Sequence, residues 1–118
     1  MDNGLKGRVA VVVGASSGIG AAVARALSRE GAHVALAARR KPELREVRES
    51  LEAENGSRCL ISATDVTVRE QVKDLVALTE DELGPVDVLV NCAGVMYYTL
   101  VSFPNYTTPW VTVSCPTD

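Results

Sequence analysis

One stretch, residues 9–20, constrains the fold of this chain more than any other. It runs Val9-Ala10-Val11-Val12-Val13 and continues as Gly14-Ala15-Ser16-Ser17-Gly18-Ile19-Gly20, before an Ala-rich helical pattern. The β-branched run predicts a buried strand, and the glycines permit a tight turn into a helix N-terminus. Unpaired N–H groups and a partial positive charge at a helix N-terminus favour phosphate binding. Taken alone, the glycines also fit a plain tight connection, but the same strand–helix unit recurs downstream.

Strand and helix patterns alternate along most of the chain. The predicted strands are residues 8–13, 32–38, 58–63 and 86–90. The predicted helices are residues 18–30, a second helix with Pro42 in its first turn that closes at Asn55-Gly56, and residues 67–83. Short loops between such units imply right-handed crossovers and a parallel sheet. We therefore predict an α/β fold, a three-layer Rossmann-like sheet that is incomplete, with four strands in the order 3-2-1-4. Ligands are expected at the carboxyl edge of the strands.

Three local patterns predict the buried face of the first helix and the ends of two helices. The apolar stripe of the first helix is predicted to be Ile19, Ala22, Val23, Ala26 and Leu27. Gly31 stands where a left-handed residue ends a helix. Thr67 and Glu70 have the spacing of a capping box and predict the start of the third helix.

Composition excludes several classes of protein. A chain of 118 residues fits one domain, and its net charge of −3 argues against a general nucleic-acid binder. The N-terminus lacks the pattern of a signal peptide, and no apolar run would span a membrane. Three widely spaced cysteines without a C-x-x-C pair predict reduced thiols and no metal site. We expect a cytoplasmic protein.

The character of the chain changes after Gly94. Among 12 basic and 15 acidic residues, only Asp118 lies in residues 95–118, which also contain three prolines. The strand–helix rhythm stops there, although residues 97–101 and 111–113 suit short extended pieces. We predict a cofactor-binding half-Rossmann domain at residues 1–94 and an irregular tail at residues 95–118. The fourth strand would then be an edge with its backbone groups exposed, unless the tail folds over it.

Three of the predicted loops carry polar residues at the carboxyl edge. Arg39 and Arg40 follow the second strand, where a ribose 2′-hydroxyl would require an acidic residue and guanidinium groups suit a 2′-phosphate. This favours NADP(H) over NAD(H), unless both arginines are merely solvated. Asp65 follows the third strand and either accepts a hydrogen bond from an adenine amino group or helps to cap the next helix. Asn91 ends the fourth strand and is expected to tie neighbouring loops together.

These motifs together resemble those of the short-chain dehydrogenases/reductases over roughly residues 5–96. The resemblance implies NAD(P)(H) binding and hydride transfer between the cofactor and a carbonyl or alcohol. The cofactor-binding positions that it implies, together with the arginines, are Gly14, Ser16, Ser17, Gly18, Ile19, Gly20, Arg39, Arg40, Asp65, Val66, Asn91, Ala93 and Gly94.

The family's catalytic pattern of a Ser and a Tyr-x-x-x-Lys is missing. Lys73 is the last lysine, and no tyrosine is followed by a lysine four residues later. We therefore assign no catalytic residue and predict an NADP(H)-binding, truncated form that meets a small carbonyl or alcohol substrate only when a catalytic half is supplied. An alternative interpretation is a non-catalytic regulatory partner of a full-length relative, motivated by the exposed fourth strand. The remaining alternative is a fragment of marginal stability.

Overall fold

The structure is a computed structural model that describes residues 6–15, 18–55, 58–65, 67–92 and 111–114. The elements in chain order are β1 (Val9–Val13), α1 (Gly18–Arg29), β2 (His33–Ala38), α2 (Lys41–Asn55), β3 (Cys59–Ala63), α3 (Arg69–Glu82), β4 (Val88–Asn91) and β5 (Val111–Ser114). Each predicted strand and helix is present, with ends that shift by one or two residues. Among the described residues, no helix is long and apolar enough to cross a membrane.

The strands form one parallel sheet in the order β3-β2-β1-β4-β5. The predicted order 3-2-1-4 is thereby confirmed for the first four strands. In register, Val13 at the end of β1 lies between Ala37 on β2 and Asn91 on β4. The strand ends are therefore level, and the loops that follow them meet at one edge.

A fifth strand departs from the sequence prediction. β5 pairs with β4 over its whole length, from Val88 opposite Val111 to Asn91 opposite Ser114. β4 is therefore not an open edge, because a segment of the predicted irregular tail covers it, which is the alternative that the sequence left open. The alternating Val and Thr of residues 111–113 suit this role, whereas the other suggested extended piece, 97–101, lies outside the described residues.

Two apolar layers enclose the sheet, which confirms the three-layer prediction. One face packs under α3 and includes Val11, Val13 and Leu89. The opposite face packs under α1 and α2 and includes Val12 and Leu36, which lie in one cluster with Leu44 of α2. The continuous valine run of β1 has both faces covered, as a central parallel strand requires.

The buried stripe of α1 differs from the predicted one. The buried residues are Gly20, Ala24 and Ser28, one turn apart, with Val23 and Leu27 partly buried beside them. Ile19 is 54% exposed, and Ala22 and Ala26 are exposed as well. Small residues face the sheet because they let the helix axis lie close to it. Hydropathy alone placed the stripe about one residue away from its true position.

The predicted helix ends have mixed outcomes. Gly31 has a φ of +92° and donates its N–H to the Ser28 carbonyl at 3.0 Å, which confirms the left-handed end of α1. The capping box of Thr67 and Glu70 is wrong, because α3 begins at Arg69 with Val68 as its N-cap and no side-chain capping bond. Val68 is also 40% exposed, because it precedes the helix instead of facing the core.

Candidate functional site

The glycine turn after β1 is fastened to the end of β2. Gly14 has a φ of +80°, a conformation that residues with a Cβ adopt rarely. The N–H groups of Gly14 and Ala15 both donate to the Ala37 carbonyl, at 2.7 and 3.1 Å. The turn therefore holds a fixed position at the carboxyl edge of the sheet, beside the loop that follows β2.

Gly20 brings the first turn of α1 against this glycine turn. A Cβ at Gly20 would lie 2.1 Å from the Gly14 carbonyl oxygen and 3.0 Å from the Ala15 Cα. A Cβ at Gly18, by contrast, would have no described atom within 4 Å, outside its immediate chain neighbours. The N-terminus of α1 is thus packed tightly on one side and open on the other. Ile19 lies between them, with more than half of its surface exposed.

A pocket at the same edge brings together Arg39 and Asp65, which lie 26 positions apart in the sequence. It has a volume of about 460 Å³ and is lined by Arg39, Ala63, Thr64, Asp65 and Gln71. Arg39 Nη2 lies 3.8 Å from Asp65 Oδ1, and the Arg39 side chain is 74% exposed. β2 and β3 are neighbours in the sheet, so the residues that follow them meet across the pocket.

The Asp65 carboxylate is held in a short turn before α3. Its Oδ1 accepts hydrogen bonds from the Thr67 N–H at 3.0 Å and from the Thr67 hydroxyl at 2.6 Å. The hydroxyl bond, followed by the N–H bond and the charge of Arg39, lowers the pKa of Asp65 below its usual value. Asp65 therefore presents an anionic carboxylate at neutral pH, fixed in place before any ligand arrives.

Arg40 and Asn91 take different positions from Arg39. Arg40 Nε lies 3.8 Å from Glu43 Oε1 at the start of α2, and Arg40 is not among the described residues that line the pocket. Asn91 is buried at the end of β4, level with Val13 on β1. Five predicted site residues, namely Ser16, Ser17, Val66, Ala93 and Gly94, lie outside the described residues.

Gln71 is a pocket residue that the sequence prediction missed. It is the third residue of α3, and its side-chain Oε1 accepts the Asp65 N–H at 2.7 Å. A Gln or Glu at this position of a helix commonly reaches back to an N–H upstream. The sequence therefore contained a signal for Gln71, but the Thr67–Glu70 spacing predicted a helix start that was too early in the chain.

The parallel sheet with a glycine turn at its carboxyl edge defines a nucleotide-binding α/β fold of the Rossmann type. The sequence model of the short chain dehydrogenase family matches residues 8–110. The chain belongs to this family, which confirms the resemblance that its motifs indicate.

Individual relatives agree with this membership. Glycine betaine reductase ATRR of Emericella nidulans is 60% identical over 98 residues, which are 83% of this chain and 8% of that protein. The crystal structure of L-sorbose reductase from Gluconobacter frateurii, complexed with NADPH and L-sorbose, is 44% identical, with a TM-score of 0.76 over 80% of this chain. A metagenomic short-chain oxidoreductase in complex with NADP is 42% identical, with a TM-score of 0.71 over 76% of this chain.

The match covers only part of each relative. The chain spans 36% of the L-sorbose reductase chain and 40% of the metagenomic oxidoreductase chain. The chain therefore spans well under half of the length of each of these relatives.

Proposed function

We propose that this chain is an NADP(H)-binding module of a short-chain dehydrogenase/reductase. The observation that carries the proposal is the pocket in which Arg39 and Asp65 meet at the carboxyl edge, beside the glycine turn. The structures of related proteins with NADPH and NADP support it. When bound, the nicotinamide cofactor would supply hydride chemistry on a carbonyl or alcohol.

The described residues fit a dinucleotide at this edge. The pyrophosphate is proposed to lie at the N-terminus of α1, where the partial positive charge of the helix favours an anion and Gly18 leaves space among the described atoms. The proposed site of the adenine is the pocket between β2 and β3, where the Asp65 carboxylate can accept from the 6-amino group. Ser16, Ser17, Val66, Ala93 and Gly94 remain predicted contacts, as do Ile19 and Asn91.

The preference for NADP(H) over NAD(H) rests on Arg39. Its guanidinium follows β2, where an acidic residue would otherwise bind a free 2′-hydroxyl, and it is exposed enough to meet a phosphate. Arg40 is a secondary candidate, because it is not among the described residues that line the pocket. A charge-assisted bond to a phosphate contributes about 1.5–3 kcal/mol, which corresponds to roughly 10- to 100-fold in affinity.

Binding, not turnover, is the activity that we propose for these 118 residues alone. The sequence contains no Tyr-x-x-x-Lys, the pair that the family resemblance assigns to proton transfer. The non-catalytic alternative, a partner of a full-length relative, was motivated by an open edge at β4. Since β5 pairs with that edge, the alternative would have to rest on β5, which is now the outer strand of the sheet.

The proposal is tested by titrating the folded chain with NADPH and with NADH. We expect Arg39→Ala to weaken NADPH binding by about 10-fold or more and to leave NADH binding nearly unchanged. Arg29→Ala is a matched control, because Arg29 is an exposed arginine in the last turn of α1, at the opposite edge of the sheet. An unchanged NADPH-to-NADH ratio in Arg39→Ala would contradict the preference for NADP(H). A folded wild type that binds neither cofactor would contradict the whole proposal.

A further inference from the structure

Gln71 joins the start of α3 to the loop in which Asp65 lies. Its Oε1 accepts the Asp65 N–H at 2.7 Å, across six positions of sequence. Oε1, not Nε2, faces this N–H, because a donor requires an acceptor. Gln71 itself is exposed, so its side chain contributes little to the apolar core. The bond therefore has a local purpose, which is to fix the backbone of Asp65 at the rim of the pocket.

Gln71 and Thr67 hold two different parts of Asp65. Gln71 holds the backbone N–H, whereas Thr67 donates to the carboxylate through both its N–H and its hydroxyl. All contacts that the carboxylate makes within the described part of the chain fall on Oδ1, including the 3.8 Å approach of Arg39. Oδ2 is thus left to accept a hydrogen bond from a ligand. Its direction is fixed only while the backbone of Asp65 is fixed.

We propose that Gln71 is a positioning residue for base recognition, which holds Asp65 so that Oδ2 accepts from the 6-amino group of adenine. This inference rests on the proposed function, because it assumes that the adenosine half of the cofactor enters the pocket. Gln71 acts through the backbone of Asp65. Its loss should therefore reduce discrimination between adenine and a base with a 6-oxo group more than it reduces binding as such.

The test compares NADPH with its hypoxanthine analogue, in which a carbonyl oxygen replaces the 6-amino group. We expect the wild type to prefer NADPH by about 10-fold, the effect of one hydrogen bond to a charged acceptor. Gln71→Ala should reduce this preference to about 2- to 3-fold, because the carboxylate is then less well oriented. Gln71→Glu keeps an acceptor for the Asp65 N–H. This variant should retain the preference for NADPH, even if its added charge weakens the binding of NADPH and of the analogue equally.

A second measurement reads the same bond without any ligand. Amide hydrogen exchange at Asp65, followed by NMR, should be slow in the wild type and in Gln71→Glu and faster in Gln71→Ala. Glu70→Ala is a matched control, because Glu70 is an exposed neighbour in the same turn. It should change neither the exchange at Asp65 nor the preference for adenine.

The outcomes separate the two proposals. Normal NADPH binding by Gln71→Ala with an unchanged preference for adenine would overturn the positioning role alone. Equal weakening of both ligands in Gln71→Ala would overturn it too, since that pattern indicates a merely structural residue. A folded wild type that binds no NADPH would contradict the proposed function and the positioning role with it, whatever the exchange at Asp65.

Discussion

Two glycines of the turn, only two positions apart, have different physical roles. Packing within the protein requires a glycine at position 20, because a Cβ there would overlap the carbonyl of Gly14. Gly18 faces no such obstacle among the described atoms, and its lack of a side chain matters only for what approaches from outside. The spacing of the glycines alone cannot separate these roles. The distances in the structure do.

This difference predicts opposite results for two alanine substitutions. Gly20→Ala should lower the free energy of unfolding by at least about 2 kcal/mol, because the overlap is with backbone atoms that cannot rotate away. Gly18→Ala should leave the stability unchanged within about 1 kcal/mol, since alanine also suits a helix. Urea denaturation followed by circular dichroism measures both. Equal stability of Gly20→Ala and the wild type would contradict the close packing of α1 on the turn.

At the scale of the element, α1 illustrates how helix and sheet approach each other. Its buried positions are Gly20, Ala24 and Ser28, and Ala24 is fully buried in the layer beneath α1 and α2. Small side chains along this line let the helix lie close to the sheet. The larger Val23 and Leu27 pack at its sides. Size therefore decides which face of this helix is buried.

Leucine substitutions on α1 distinguish the observed stripe from the one predicted by hydropathy. Ala24→Leu should destabilise the fold by about 1–3 kcal/mol, because a fully buried site has no room for three more carbons. Ala22→Leu, the matched control on the exposed face of the same helix, should change stability by less than about 0.5 kcal/mol. Thermal and urea unfolding provide the comparison. A larger loss of stability in Ala22→Leu than in Ala24→Leu would instead support the buried stripe predicted from the sequence.

The limits of sequence prediction at this scale follow from what each pattern depends on. The strand run of Val9–Val13 and the glycine end of α1 at Gly31 depend on local chemistry, and both were predictable. The stripe of α1 depends on distance to the sheet, and the bond from Asp65 to Gln71 depends on where α3 begins. β5 depends on pairing with a strand some twenty residues earlier. The alternation of residues 111–113 predicts an extended piece, but neither its pairing with β4 nor the other two features follow from local periodicity.

Within the described part of the chain, the contacts of Asp87 and the proposed binding groups lie at opposite edges of the sheet. At the amino edge, Asp87 accepts the Val9 N–H at 3.0 Å, and its other carboxylate oxygen lies 3.4 Å from Arg8. At the carboxyl edge lie the glycine turn, Arg39 and Asp65. Strands of about five residues separate the two edges by roughly 16 Å. Changes at one edge should therefore be nearly independent of changes at the other.

Asp87→Ala tests this separation. The substitution leaves a partly buried N–H at Val9 without its acceptor, so we expect the free energy of unfolding to fall by about 1–2 kcal/mol. The affinity of the folded chain for NADPH should not change, in contrast to Arg39→Ala, which should weaken binding and leave stability nearly intact. Asp87→Asn keeps an oxygen for Val9 and loses only an ion pair with a mostly exposed arginine, so it should retain most of the stability. Weaker NADPH binding by fully folded Asp87→Ala would contradict this separation. The two edges would then be coupled through β1, and the proposed binding site would depend on more than the carboxyl edge.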